Sequence, residues 1–198
     1  MNTEISMEMN PEQLKSQALF NALKKLVPGA LFTLAGSHIK WQDDKIAQPD
    51  DALVNEQTEI ELAELKKAQA LEKLSAYIYQ YYPAEKQAQD EKWASNYSAK
   101  LKAAGFKDLE AVVQQIINQA PIKPVEEQIQ ALVNRLAKKT LNKIPTINGD
   151  PKAYASQMLT KLVKIAMRNN WVEACVAEGK AAIQEGREMK LLGFVEIT

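Results

Sequence analysis

The stretch that decides the fold is residues 51–82, DALVNEQTEIELAELKKAQALEKLSAYIYQYY, which contains neither glycine nor proline. Acidic side chains are concentrated in its first half and Lys66 and Lys67 follow them, an order that suits the helix dipole. An unbroken helix of this length would be about 48 Å long. Pro83 either ends this helix or kinks it. Four apolar residues near its end recur at the 3-4-3 spacing of a coiled-coil or bundle seam, namely Leu71, Leu74, Ile78 and Tyr81.

Upstream of this helix, the sequence predicts a shorter helix and a β-hairpin. The shorter helix is expected to begin at Pro11, because proline suits the first helical position, and to end at Pro28. Residues 30–34 are rich in strand formers, and residues 38–41 alternate in polarity. Gly36 and Ser37 between them are a tight-turn signal, so the two segments are expected to pair.

Downstream of Pro83, glycine and proline divide the chain into further predicted helices. The clearest turn contains Asn148 and Gly149, because both residue types tolerate left-handed dihedrals. A last short strand is predicted at residues 194–197. The predicted helices are residues 84–104, about 108 to just before Pro121, 125 to about 141, 151 to about 168, and 171 to about 184.

These patterns predict a mainly α fold with a small N-terminal β-hairpin, in the α+β class, built on a long central helix and a helical bundle. We expect three parts. Residues 1–49 hold an N-terminal helix plus a small β unit, and residues 50–120 hold the long helix and the helices packed on it. Residues 121–198 form a C-terminal helical module.

The composition argues against several functional classes. The chain has 198 residues with 25 basic and 25 acidic side chains, so its formal net charge is zero and we expect no nucleic-acid partner. One cysteine excludes an internal disulfide and a thiol-based metal cluster, and one histidine excludes a three-histidine zinc site. No glycine-rich phosphate loop precedes a helix. We therefore expect no catalytic residues, no metal and no cofactor, and a protein that is not an enzyme.

The sequence shows no signal for a membrane. No apolar stretch approaches the roughly 20 residues that a spanning helix needs. The first ten residues carry acids and lack the basic start of a secretion signal. We expect no membrane partner and a location in the cytoplasm of the cell that makes the protein.

The residue types most often used in catalysis have structural explanations here. Cys175 lies at a helical core spacing, which indicates a buried structural thiol. His38 lies beside the hairpin turn, where a half-exposed histidine is ordinary. The acid pairs that begin at Asp43 and Asp50 fit turns and helix caps.

An aromatic cluster on both sides of Pro83 is the most unusual feature. Tyr77 and Tyr81 share one face of the predicted helix, and Tyr79 and Tyr82 share another. A helix with aromatic side chains on more than one face must bury more than one face or meet a partner. Either the following helix folds back over these side chains, or they form a protein-binding surface. The candidate partner-binding residues are Trp41, Tyr77, Tyr79, Tyr81, Tyr82 and Trp93.

A longer pattern runs through residues 26–97. It reads LVPGALFTLAG at 26–36, HIKW at 38–41 and QPDD at 48–51, followed by an acidic helix, then YPAEKQ at 82–87 and KW at 92–93. This order resembles phage and prophage tail-fibre assembly proteins and related small tail-region proteins. In them a short β unit ends in a Trp-containing strand, and a Gln-Pro or Pro-rich step leads into a long helix. Trp41, Gln48 and Pro49 occupy those positions here.

The resemblance implies a non-enzymatic, chaperone-like assembly factor that binds a phage tail-fibre or other tail protein in the host cytoplasm. A small β unit can offer its edge to a β-rich fibre, and a helical body can cover apolar surface until assembly is complete. Some such proteins stay attached to the fibre, so association with the virion is open. Two alternatives remain open, a structural tail or baseplate component retained in the virion and a host-directed effector that binds a cellular protein. A homo-oligomer formed through the helix seam is also open.

Overall fold

The structure is a computed structural model that describes residues 9–194. In this range 69% of the residues are helical, in seven helices, and one two-stranded antiparallel hairpin lies near the N-terminus. The prediction of a mainly α fold with a small N-terminal hairpin is therefore confirmed. The elements are α1 (Pro11–Leu26), β1 (Phe32–Ala35), β2 (His38–Trp41), α2 (Asp51–Tyr81), α3 (Ala84–Ala104), α4 (Leu109–Gln119), α5 (Val125–Asn134), α6 (Lys138–Leu141) and α7 (Pro151–Glu185).

The chain divides into two compact units. The first contains the described residues up to Ser75 together with Ala182–Met189, and the second contains Ala76–Ala181 together with the described residues from Lys190 on. The boundaries between the units fall inside α2, inside α7 and, after α7, between Met189 and Lys190. The three-part division expected from the sequence stays a prediction.

In the first unit, α1 begins with a complete capping box. The Asn10 side chain accepts a hydrogen bond from the main-chain N–H of Gln13 (2.9 Å), and the Gln13 side chain accepts one from the N–H of Asn10 (2.9 Å). The hairpin follows in the predicted place, with Phe32 opposite Trp41. Gly36 takes φ +64°, which the two-residue turn requires and glycine adopts without steric cost.

One face of the hairpin packs on the core of the first unit. Side chains alternate along both strands, so one side of the hairpin is half-buried and the other is exposed. The buried residues of this core are Leu19 and Leu23 from α1 and Val54 from α2. The residues packed against them are Leu26, Phe32, Leu34, Ile39 and Trp41.

The second unit has the larger core, built by α3, α4, α5 and α7. Ile129, Val133, Leu159 and Val163 are fully buried at its centre. The amide of the buried Gln128 side chain donates to the carbonyls at the end of α4 and in the following loop, which satisfies acceptors that a helix end leaves free.

The predicted helix at 125–141 is a correction, because the structure divides it into α5 and α6. Ala137 between them is extended, with φ −66° and ψ 147°. A straight helix would carry its last apolar residues around and away from the core. The break instead lets Leu136, Leu141 and Ile144 all pack on the core of the second unit.

The two helices predicted at 151–168 and 171–184 are also a correction, because α7 is one helix of 35 residues. Asn169 and Asn170 have weak helix propensity, but each costs less than about 1 kcal/mol and neither breaks a helix. Burial of Ile165 before them and Cys175 after them favours continuation. The strand predicted at 194–197 is absent at Phe194, and residues 195–197 lie outside the described residues.

Truncation at the centre of the second unit tests its core. Leu159→Ala removes a fully buried side chain and should lower the free energy of unfolding by about 2–5 kcal/mol. Ile122→Ala, at a side chain that is 90% exposed, should change it by less than about 0.5 kcal/mol. Urea unfolding followed by circular dichroism measures both values, and equal losses would contradict this core assignment.

Candidate functional site

The sequence-predicted partner-binding residues fall in two places. Trp41 lies on the hairpin of the first unit. The other five candidates, Tyr77, Tyr79, Tyr81, Tyr82 and Trp93, lie where α2 ends and α3 begins, in the second unit. Pro83 ends α2 and precedes α3, so the chain turns there and the helix is not merely kinked.

Trp41 is held by the hairpin and the loop that follows it. Its ring stacks parallel to the Phe32 ring with centroids 6.0 Å apart, and its Nε1 donates to the carbonyl of Ile46 (2.9 Å). Asp43 organises the same loop, because its carboxylate accepts the N–H groups of Ile46 and Lys45 (both 2.8 Å). These hydrogen bonds, from Ile46 first, hold the pKa of Asp43 below its usual range. Trp41 is half-buried, and its hydrogen bond to Ile46 connects β2 to the loop that follows it.

An open groove of about 630 Å³ runs along the outer edge of β1. Its apolar side chains include Phe20, which is 40% exposed and lies 5.7 Å from the Phe32 ring, measured between centroids. The ammonium of Lys24 lies 5.7 Å and 5.6 Å from the centroids of these two rings. The groove is lined by Met9, Gln13, Ser16, Gln17, Phe20, Phe32, Thr33 and Leu34.

Tyr82 points inward at the turn between α2 and α3. It is 2% exposed, and its hydroxyl donates to Oδ2 of Asp90 (3.0 Å). Arg168 from α7 binds the same carboxylate oxygen, and Lys86 lies 3.5 Å from Oδ1. Burial first, and then the hydrogen bond to Asp90, raise the pKa of Tyr82. Tyr82 is therefore part of a buried polar network, and its predicted place on a binding surface is a correction.

Trp93 continues this network along α3. The Lys86 ammonium lies 5.3 Å from the centroid of the Trp93 ring, and the Lys161 ammonium of α7 lies 5.1 Å from it. Lys161 also lies 5.4 Å from the centroid of the Tyr97 ring and donates to its hydroxyl (3.4 Å). Trp93 is thus a half-buried ring between two cations.

Tyr77 and Tyr81 line a second aromatic site together with Trp171 of α7. We call the site formed by these three side chains the aromatic cleft. The Tyr77 and Tyr81 rings meet edge-on with centroids 5.2 Å apart, and both lie near Trp171, at 6.0 Å and 6.2 Å. Phe194 lies against Trp171 and Tyr81. Tyr79 does not join the cleft contacts and is 52% exposed.

Sequence reasoning missed Asp90, Arg168, Trp171 and Phe194. Asp90 and Arg168, which form an ion pair, are 78 residues apart in sequence. Neither residue differs in type from the many other acids and bases on the helices. The presence of a Trp on a predicted helix gave a signal at Trp171, but nothing in the sequence indicated which tyrosines it meets.

The other residues considered from the sequence have the structural roles expected of them. Cys175 is buried, and burial raises the pKa of its thiol. His38 is exposed beside the hairpin turn, and Asp50 caps α2 by accepting from the N–H of Ala52 (2.8 Å). Within residues 9–194, no group of three or more His, Cys, Asp or Glu side chains is placed to hold a metal ion. Over the same range, no helix has both the length and the apolar character that crossing a membrane requires.

The predicted helix seam is only partly available for self-association. Leu74 and Ile78 are 5% and 7% exposed, so they are buried within the chain. Leu71 and Tyr81 are 41% and 43% exposed. A homo-oligomer through this seam stays a prediction that depends on its two exposed ends.

Comparison of the chain with protein-family models, with curated proteins and with solved structures found no significant match.

Alanine substitutions should separate the structural tryptophan from the exposed tyrosine. Trp41→Ala removes the stacked ring and the hydrogen bond to Ile46, so we expect a loss of about 2 kcal/mol in the free energy of unfolding. Tyr79→Ala should change it by less than about 0.5 kcal/mol. Urea unfolding checks both, and a Trp41→Ala variant as stable as the native protein would refute the anchoring role.

The Tyr82 hydroxyl should make stability depend on pH in the alkaline range. Its pKa in the folded protein lies above the ordinary value of 10.0, so above about pH 10 the unfolded chain loses this proton while the folded chain keeps it. Unfolding then becomes easier as pH rises, by up to about 1.4 kcal/mol per pH unit from this group.

Tyr82→Phe lacks the ionising hydroxyl and isolates this contribution. At pH 7 the variant should be about 1–3 kcal/mol less stable than the native protein, because Asp90 loses a donor. This difference should shrink between pH 9 and pH 11 in urea unfolding series. A difference that stays constant over that range would show that Tyr82 has an ordinary pKa.

Proposed function

We propose that the chain is a non-enzymatic phage tail-fibre assembly factor that binds an extended segment of a fibre protein in the host cytoplasm. Two things support the proposal. Residues 26–97 resemble such assembly proteins, and their hairpin, Pro49 step and long helix occur in the same order in the fold. The observation that carries the binding mode is the free outer edge of β1 beside its apolar groove.

The register of the hairpin defines which main-chain groups are free. The N–H of Gln42 donates to the carbonyl of Leu31 (2.9 Å), and hydrogen-bonded pairs alternate along an antiparallel ladder. The N–H and C=O of Phe32 and Leu34 therefore point away from β2. Among the residues that the structure describes, these four groups have no hydrogen-bond partner.

An extended segment added at this edge would gain main-chain and apolar contacts together. Its main-chain groups would pair with those of Phe32 and Leu34, at about 0.5–1.5 kcal/mol for each hydrogen bond. Its alternate side chains would enter the groove and cover Phe20. Four hydrogen bonds and one small groove give binding that a complete fibre could later displace, which suits an assembly factor.

A proline substitution tests the edge directly. Leu34→Pro removes the outward N–H of residue 34 but no hydrogen bond of the hairpin ladder, because proline is tolerated where the N–H faces outward. Leu34→Ala is the matched control, since it shortens the same side chain and keeps the N–H. The fibre protein of the same phage or prophage is co-expressed with each variant, and its soluble fraction is measured.

We expect the native chain and Leu34→Ala to keep the fibre soluble. Leu34→Pro should weaken fibre binding about tenfold, the equivalent of 1.4 kcal/mol, and should therefore lower the soluble fraction of the fibre. Circular dichroism of each variant shows whether the helices are intact. If the soluble fraction of the fibre is the same with the Leu34→Pro and Leu34→Ala variants, binding at the β1 edge is refuted. A fibre that is equally soluble without the chain would refute the assembly function itself.

Quantitative mass spectrometry of purified particles and of the lysate they came from distinguishes the alternatives. An assembly factor is abundant in the lysate and missing from particles. A fixed copy number in particles would support a structural tail or baseplate component. A stable complex with a host protein, without any effect on the fibre, would support a host-directed effector.

A further inference from the structure

The last described residues, Lys190 to Phe194, lie across the aromatic cleft. The carbonyl oxygen of Leu192 accepts two hydrogen bonds, one from the Tyr77 hydroxyl (2.8 Å) and one from Nε1 of Trp171 (3.1 Å). The N–H of Lys190 donates to the Glu178 carboxylate (3.0 Å). Two donors from different helices thus converge on one main-chain carbonyl.

Phe194 anchors the same segment. Its ring meets Trp171 edge-on with centroids 4.9 Å apart and stacks on Tyr81 with centroids 5.8 Å apart. Gly193 lies between Leu192, whose carbonyl accepts the two hydrogen bonds, and Phe194. The side chain of Leu191 is 54% exposed. The cleft therefore contacts the main-chain carbonyl of Leu192 and, two residues later, the ring of Phe194.

The 190–194 segment can leave the cleft without unfolding a helix. It belongs to no helix or strand. Its hydrogen bonds in the cleft run to side chains of α2 and α7, and those helices keep their own main-chain hydrogen bonds when the segment departs. Local openings that leave the helices intact require less free energy than global unfolding.

We propose that the aromatic cleft is a binding site for an extended peptide segment of a partner protein, and that residues 190–194 occupy it in the free protein as an intramolecular competitor. The partner segment presents a main-chain carbonyl to Tyr77 and Trp171 and places an aromatic side chain two residues later. The seated segment, with its Leu-Gly-Phe sequence, is the template for that chemistry. This site is separate from the β1 edge and does not depend on the proposed function.

The tether determines how strongly a partner must bind. A segment linked to its own site acts at an effective concentration in the millimolar range. The apparent affinity for a free peptide falls by the fraction of molecules whose cleft is open. Weakening the chain's own segment should therefore strengthen binding of an added one.

The test uses the full chain and a fluorescently labelled peptide with the sequence of residues 188–196, EMKLLGFVE. Phe194→Ala weakens the tethered segment and leaves the cleft side chains in place. Fluorescence anisotropy should show this variant binding the peptide at least about tenfold more tightly than the native chain does. Leu191→Ala, an exposed position in the same segment, is the matched control and should behave as the native chain.

Two further arms test the chemistry of the site. A peptide in which alanine replaces the phenylalanine should not bind the Phe194→Ala chain. Adding Trp171→Phe to that chain removes one of the two carbonyl donors and should weaken peptide binding about tenfold with an unchanged circular dichroism spectrum. Undiminished binding in both arms would overturn the assignment of the peptide to the cleft.

The unmodified protein supplies a second measurement should Phe194→Ala fail to fold. The main-chain N–H of Gly193, in the displaced segment itself, gives its own signal in a nitrogen–proton correlation spectrum of the labelled native chain. Millimolar unlabelled peptide should displace the 190–194 segment and move this signal toward the position of an unstructured glycine, and the alanine peptide should not. An unmoved Gly193 signal, or a folded Phe194→Ala chain that binds the peptide no better than the native one, would overturn the proposal.

Discussion

The buried charge of Asp90 is the constraint on which the second unit depends. Its side chain is 1% exposed, and a carboxylate out of water is tolerable only with a countercharge and hydrogen bonds. Arg168 supplies the charge and Tyr82 the hydroxyl. Arg168 lies on α7, and Tyr82 directly follows α2. The two bonds to Asp90 therefore connect α3 both to α7 and to the turn at Pro83.

The same pairing sets the register of α3 against α7. Asp90 meets Arg168, and one to two turns further along α3, Trp93 and Tyr97 meet Lys161, two turns earlier on α7. The helices therefore run antiparallel along this contact. A slip of one turn would leave Asp90 buried without its arginine. A buried ion pair adds little net stability, but here it makes one register much better than its neighbours.

Local signals in the sequence predicted most of the elements, because each signal acts through its immediate neighbours. Gly36 defines the hairpin turn, Pro83 the end of α2, and Gly105, with φ +105°, the end of α3. The errors have a different origin. The break at Ala137 and the continuity of α7 through Asn169 are decided by which apolar side chains reach the core, and that depends on residues far away in sequence.

The candidate site shows the same division between local and distant causes. Aromatic spacing identified the tyrosines near Pro83 as unusual, but it could not distinguish Tyr82, which is buried by Asp90, from Tyr79, which is exposed. It also could not show that Tyr77 already donates to the carbonyl of Leu192, which is 115 residues away in sequence. A side chain's type limits what it can bind, whereas the hydrogen bonds it already makes decide what remains for a partner.

The two candidate surfaces consequently differ in what a partner must overcome. At the β1 edge the main-chain groups of Phe32 and Leu34 have no hydrogen-bond partner among the described residues, so an incoming strand displaces none of those residues from these groups. In the aromatic cleft the donors Tyr77 and Trp171 are already paired with Leu192, so an incoming segment must first displace the chain's own. The first surface is therefore defined by strand register, whereas binding at the second depends on competition with the 190–194 segment. A segment that binds the β1 edge needs only main-chain groups and apolar side chains, but one that binds the cleft must also match the spacing between Leu192 and Phe194.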